Sequence, residues 1–328
     1  MLISGIRYFG FYTTNNKKIL LLGETHQETT KLQCKSEQEQ VVDIASFLVE
    51  DILNKKPKDN IIDFFFESGF KENTIRGYKT GLSRAPSVLE ETVPFIAKKG
   101  IRVHHVDPRK ILVDGRVVTN SLTKFLSQIE KTHGKFTQKY KEVVDEDTLK
   151  NALLYLLDIN REENRKYFLK VLESMVLMGF NPNMKEFEDW EDGYFKIIHK
   201  RFKKLDERII SKEDLIKVLL QTYEIMFENL LNGTKPNSYV TRFVLLLSAP
   251  ADLYVLTRLF TKFENKRDII TNSENVDSVV VYSGVAHSYI YSTFLNIFYQ
   301  TSPIIEYSSP SKREQCVKIP DSFDFWKN

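Results

Sequence analysis

Along the amino-terminal third of the chain, apolar and polar positions alternate between strand and helix patterns. Ile3 to Tyr12 and Lys18 to Leu22 flank the turn-rich Thr13-Thr14-Asn15-Asn16 and predict a hairpin. Ile19 to Leu22 is an unbroken apolar run, as in a strand covered on both faces. Ser36 and Glu39 have the spacing of a capping box. The helix they open carries Val41, Ala45, Leu48 and Ile52 on one stripe and stops before Pro57. Ile61 to Phe66 predicts a second buried strand. Ser87 and Glu90 cap a further helix ending near Gly100, and Ile101 to Val106 predicts a third strand.

This succession is βαβαβ, which parallel strands need for their crossovers. From Lys110 to about Gly233 the pattern becomes helical, with Leu153, Leu156 and Leu157 and then Phe168, Val171, Leu172, Met175 and Val176 at helical spacing. A helix at Ala251 to Phe263, a strand at Ser278 to Tyr282, a helix at Ser288 to Phe298 and a strand at Pro303 to Tyr307 follow. The tail from Ser308 to Asn328 is irregular, with Phe323, Phe325 and Trp326 expected to dock on the body. The expected fold is α/β, a mostly parallel sheet flanked by helices, with a large all-helical insertion. Residues 1–109 and 236–328 form the core domain and residues 110–235 the insertion or cap.

Open α/β sheets bind ligands beyond the carboxyl ends of their strands. The first core strand ends in Gly23-Glu24-Thr25-His26, and the second at Glu67-Ser68-Gly69. The third ends in His104-His105-Val106-Asp107-Pro108-Arg109 and the fourth in Ser283-Gly284-Val285-Ala286-His287. Of six histidines in the chain, His26, His287 and one of His104 and His105 fall at these ends. Imidazoles and carboxylates gathered in a cleft hold a divalent metal, or act as base and orienting group toward water. His26 and His287 are candidates for ligand or base, and Glu24 and Glu67 for ligation or water activation. Asp107 can orient an imidazole, with His105 beside it, and Arg109 can bind an anionic group. The plainer reading makes Glu67 a solvated strand cap and Arg109 a salt-bridge partner of Asp107. His133 and His199 lie in lysine-rich helical surroundings and are assigned to the surface.

Composition narrows the classes. The chain has 328 residues, 42% hydrophobic and 28% charged, which is globular. Its 47 basic and 44 acidic residues leave a net charge of +3, giving no general drive toward nucleic acid. No run of about 18 apolar residues occurs, so no membrane span is expected. Met1 to Tyr12 lacks the pattern of a secretory leader. Only two cysteines occur, far apart as Cys34 and Cys316. They are read as idle or buried thiols, with no disulfide framework, in a reducing cytoplasmic compartment. Nucleotide binding at the first βα turn is disfavoured, because Gly23 is followed by Glu24 rather than a glycine-rich phosphate loop.

The motifs Gly23-Glu24-Thr25-His26, Glu67 and Gly284-Val285-Ala286-His287 resemble the superfamily of erythromycin esterases, ChaN-like proteins and the TraB/Tiki group. The resemblance covers residues 18–109 and 250–307, and Gln27 stands where ChaN-like members often carry aspartate. It implies a hydrolase with His26, Glu67 and His287 as the core site and Glu24 alongside. It also implies an arginine near the site, for which Arg109 is the candidate and Arg76 and Arg84 are alternatives. The expected substrate is a small molecule or peptide, cleaved at an ester, amide or peptide bond, with a divalent ion as the one optional cofactor. The rival expectation is a catalytically inactive member of the same fold, a binding or host-interaction protein, viral among the options.

Overall fold

The computed structural model describes residues 1–14, 17–25, 34, 40–69, 100–107, 147–148, 151–152, 162–178, 204–232, 252–261, 277–309 and 315–327. Residues 67–69, 105–107, 172, 174–178 and 227–232 are described by their backbone alone. By contacts the chain divides into two compact units, Met1–Asp107 with Leu259–Asn328, and Pro108–Arg258.

The first unit is a mixed α/β body. Its main sheet contains β2 (Tyr8–Thr14), β3 (Lys17–Glu24), β5 (Ile62–Gly69), β6 (Ile101–Asp107), β7 (Ser278–Gly284) and β8 (Ile305–Ser308), in the order β6-β5-β7-β3-β2-β8. The predicted hairpin is present: β2 and β3 pair antiparallel, with Thr14 opposite Lys17. β3, β7, β5 and β6 pair in parallel. The last strand pairing, β8 on β2, is antiparallel and lies at the sheet edge.

A second sheet was not expected. β1 (Leu2–Ser4) pairs in parallel with β4 (Val41–Asp43) and antiparallel with β9 (Cys316–Lys318). Val41 therefore belongs to a strand and is 38% exposed, rather than opening the helical stripe. The helix begins later than the capping box predicted. α1 (Ile44–Phe47) is capped by Asp43, whose Oδ1 accepts from the Ala45 N–H at 2.9 Å, and continues as a π-helical turn over Leu48–Leu53. Ala45, Leu48 and Ile52 are fully buried, as the stripe predicts. Ser36, Glu39, Ser87 and Glu90 lie outside the described residues.

Strand alternation divides the core. Phe9, Phe11, Leu20, Leu22, Phe64, Phe66, Val280 and Tyr282 face α1 and the carboxyl-terminal tail in one apolar cluster. Phe323 packs edge-on to Phe9 and Phe11, and the Trp326 indole donates to the Ile52 carbonyl at 2.7 Å. The tail docks as expected. On the opposite face, α4 (Val285–Tyr299) packs against β3, β7 and β2. The Tyr12 hydroxyl fastens it, lying 2.7 Å from Ser292 Oγ and 2.9 Å from Asn296 Oδ1. Burial raises the Tyr12 hydroxyl, against the pull of Ser292, to a pKa of about 12.

Cys34 and Cys316 form a disulfide across 282 residues of chain. The reading of two idle thiols is thereby corrected. Sequence distance concealed the pairing because the strand β9, which carries Cys316, folds back onto β1.

In the second unit, α2 (Arg165–Met178) packs against α3 (Lys212–Asn232). Ser211 caps α3, its Oγ accepting from the Asp214 N–H at 3.0 Å. Leu215, Leu219 and Tyr223 line the buried stripe, and the Tyr223 hydroxyl donates to Asp252. The helical signals at Leu153, Leu156 and Leu157 lie outside the described residues. Among the described residues no helix is long and apolar enough to cross a membrane.

Candidate functional site

The site is built on β7, the central parallel strand, with β3 on one side and β5 on the other. Because these strands run in parallel, their carboxyl ends share one edge. In the β3–β7 ladder Gly23 stands opposite Ser283 and Glu24 opposite Gly284. In the β5–β7 ladder Phe66 stands opposite Tyr282, so Glu67 follows directly on that pair. Gly69 stands opposite Asp107 of β6 after a shift of register.

The two glycine–histidine motifs touch. A Cβ at Gly23 would meet Val285 Cα and Ser288 Oγ, each at 2.9 Å, and Tyr8 Cβ at 3.0 Å. Only glycine lets the first turn of α4 lie this close to β3. Gly23→Ala is therefore expected to destabilise the protein by about 1–3 kcal/mol, because a backbone atom must shift. Urea unfolding of the purified variant checks this; an unchanged midpoint would show the contact to be slack.

Glu24 is 1% exposed, and the Tyr282 hydroxyl donates to its Oε2 at 2.5 Å. Both side chains project from the face that carries the apolar cluster. A buried carboxylate costs free energy unless hydrogen bonded, and Tyr282 supplies a donor. His287 sits in the first turn of α4, 8% exposed, with its ring 6.3 Å from that of Tyr291 between centroids and inclined to it by 27°. Behind it, Ser283 Oγ and Ser288 Oγ lie 3.0 Å apart and tie β7 to α4.

Of the residues predicted for the site, Glu24 and His287 are thus at the shared edge with their side chains described. Glu67, His105 and Asp107 are placed there by their backbone alone. His26 and Arg109 lie outside the described residues, as do Arg76 and Arg84. Among the described residues no three His, Cys, Asp or Glu side chains gather as a metal would require.

His104 does not serve the rim. Its Nε2 lies 2.7 Å from Asp63 Oδ1, and its ring stacks on Phe65 at 4.5 Å. Arg102 closes the same group with Nε to Oδ1 at 2.8 Å and Nη2 to Oδ2 at 2.5 Å. This bidentate cluster went unread in the sequence. The signal was an aspartate inside the apolar run Ile61 to Phe66, which a buried strand tolerates only with a partner. Tyr282 was missed as well, because a tyrosine in a strand reads first as core.

No family model, curated protein or solved structure matches the chain.

Proposed function

We propose that the protein is a hydrolase of an ester, amide or peptide bond, in the manner of the erythromycin esterase, ChaN-like and TraB/Tiki proteins its motifs resemble. The observation that carries this reading is the contact of the two motifs, Gly23 against Val285, on adjacent parallel strands. His26 and His287 each follow their motif glycine by three residues, so the paired strands start both histidines from one edge. Glu67 starts from the neighbouring strand on the other side of β7.

In this reading His26 or Glu67 takes a proton from water, and the resulting hydroxide attacks the carbonyl carbon. Arg109 stabilises the negative charge that develops on the carbonyl oxygen, while Asp107 and His105 help hold the substrate. His287 returns a proton to the leaving group. Glu24, held by Tyr282, shapes the floor of the site. Imidazole and carboxylate donors suit zinc or a similar ion; held by His26, Glu67 and His287, it would supply Lewis acidity at the carbonyl. The substrate is a small molecule or a peptide, and nucleic acid is not a partner. The expected cytoplasmic setting is at odds with the Cys34–Cys316 bond, because disulfides persist mainly in oxidising compartments.

One observation favours the rival reading of a non-catalytic binding protein: Glu24 is buried and hydrogen bonded to Tyr282, as a carboxylate serving the fold would be. The deciding experiment pairs metal analysis of freshly purified protein with a panel of p-nitrophenyl esters and peptides. Turnover by the wild type and its loss in His26→Ala support the hydrolase. A wild type inert across the panel, with or without added zinc, supports the binder.

A further inference from the structure

Because β2 runs antiparallel to β3, the chain enters β2 at the rim where β3 ends. Arg7 stands at that entry. Its N–H donates to the Gly23 carbonyl at 2.6 Å and its carbonyl accepts from the Ser309 N–H at 2.8 Å, so main-chain bonds hold it from both sides. Tyr8 is paired with Gly23, which brings Arg7 level with Glu24, the last residue of β3. Cross-strand neighbours of opposite charge ordinarily attract one another. Here the Glu24 carboxylate accepts from Tyr282, and among the described residues Arg7 makes no ion pair. Its Nε is closed off from solvent with no hydrogen-bond partner, although the residue as a whole is half-buried. A second polar atom is orphaned at the same rim. Thr25 follows Glu24, and the Gln315 carboxamide, 1% exposed, fixes its main chain, accepting from its N–H and donating to its carbonyl, each at 3.1 Å. The Thr25 Oγ1 is buried and has no partner. Buried polar atoms in native proteins are nearly always paired, with protein or with something bound.

We propose that Arg7, together with the Thr25 hydroxyl, binds an anionic group of the substrate, a carboxylate or phosphate a few bonds from the scissile carbonyl. This rests on the hydrolase reading and narrows its substrate to acidic esters, amides or peptides. The donors set the chemistry. A guanidinium presents its N–H groups as a planar fork that matches two oxygens of a carboxylate or phosphate, and a hydroxyl adds a further donor. Half-buried, the fork meets an anion with less screening than in open water. The spacing fits as well. Neighbouring strands lie about 4.7–4.9 Å apart, so the Arg7 main chain stands roughly 10 Å from that of β7, which leads into His287. Tyr8 and Val285 both crowd Gly23, so the strand start that carries Arg7 and the helix start that carries His287 meet over one glycine. Arg7 is a binding group in this scheme, and no bond forms or breaks at it.

The test compares mono-p-nitrophenyl glutarate with p-nitrophenyl valerate, esters alike but for a terminal carboxylate, on the full-length protein. After spontaneous hydrolysis is subtracted, wild-type kcat/KM should favour the glutarate roughly 10–100-fold, the factor that hydrogen bonds to a charged group supply. Arg7→Gln should erase most of that preference. Arg7→Lys, which keeps the charge but loses the fork, should retain part of it. No preference in the wild type, or one untouched in both variants, overturns the proposal. A binding arm separates this result from the hydrolase reading. Free glutarate or inorganic phosphate should raise the Tm of the wild type more than that of Arg7→Gln, and neutral glutaramide should not. The arm that responds tells carboxylate from phosphate. That response without any ester turnover overturns the hydrolase and keeps the anion site. Turnover with neither the response nor the preference overturns the anion site alone. Should Arg7→Gln fail to fold, Arg7→Lys decides both arms.

Discussion

His287→Ala is expected to lower ester or peptide turnover by about 10²–10⁴-fold, the usual contribution of a positioned acid–base group. The residue stands in the first turn of α4, directly beyond the central strand, where the apolar core gives way to the strand ends. It is 8% exposed, and α4, which carries it, is fastened to the sheet through the Ser283–Ser288 and Tyr12–Ser292 hydrogen bonds. Truncation removes the imidazole and its ring contact with Tyr291 while leaving those hydrogen bonds in place. The stability loss should stay near 1–2 kcal/mol, typical of a single substitution. His26→Ala should show the same kinetic loss. Steady-state kcat/KM with circular dichroism of each variant checks this pair. Full activity in either variant, or unfolding of both, would remove these histidines from the mechanism.

Asp63→Asn is expected to cost about 3–5 kcal/mol, as breaking a buried ion pair does. Asp63 is fully buried, Arg102 is 10% exposed, and the guanidinium makes two hydrogen bonds to the carboxylate. The substitution removes the carboxylate charge that faces the buried guanidinium and His104. Burial alone would raise the Asp63 pKa, but the His104 hydrogen bond and charge and the Arg102 guanidinium outweigh it and hold the pKa below the usual carboxylate range. A lowered folded-state pKa means that the stabilisation is complete above the unfolded value of about 3.9 and is lost as pH falls through the folded value. Urea midpoints of the wild type should therefore drop on acidification below about pH 4, and the Asn variant should lack that part of the slope. An equal acid slope in both proteins would show that the cluster does not carry charge.

Much of the fold was legible because its strands are continuous apolar runs and its main helices keep regular stripes. β3, β5, β6, β7 and α4 lie within a few residues of the predicted positions. Strand order was not legible. β7 enters the sheet between β3 and β5, and pairing across so much intervening chain leaves no local periodicity. The three-residue strands β1, β4 and β9 are too short to show alternation, so Val41 was assigned to a helix. The Cys34–Cys316 bond depends on that small sheet and was hidden with it.

At the site, the sequence placed Glu24 and His287 at the carboxyl edge because glycines follow buried runs there. It left His104 and His105 as alternatives and did not see that His104 reaches Asp63, which stands opposite Arg102 in the β5–β6 ladder, two residues before His104. It also passed over Tyr282, because hydrogen bonding by a core tyrosine depends on the register of β3 with β7.

The central claim is that His26 and His287 meet. Selective labelling makes their ring protons observable, since the chain has only six histidines. A nuclear Overhauser cross-peak between the two rings, absent from His26→Ala and from His287→Ala, is the predicted result. Two fully assigned rings with no such cross-peak, in oxidised protein, would contradict it.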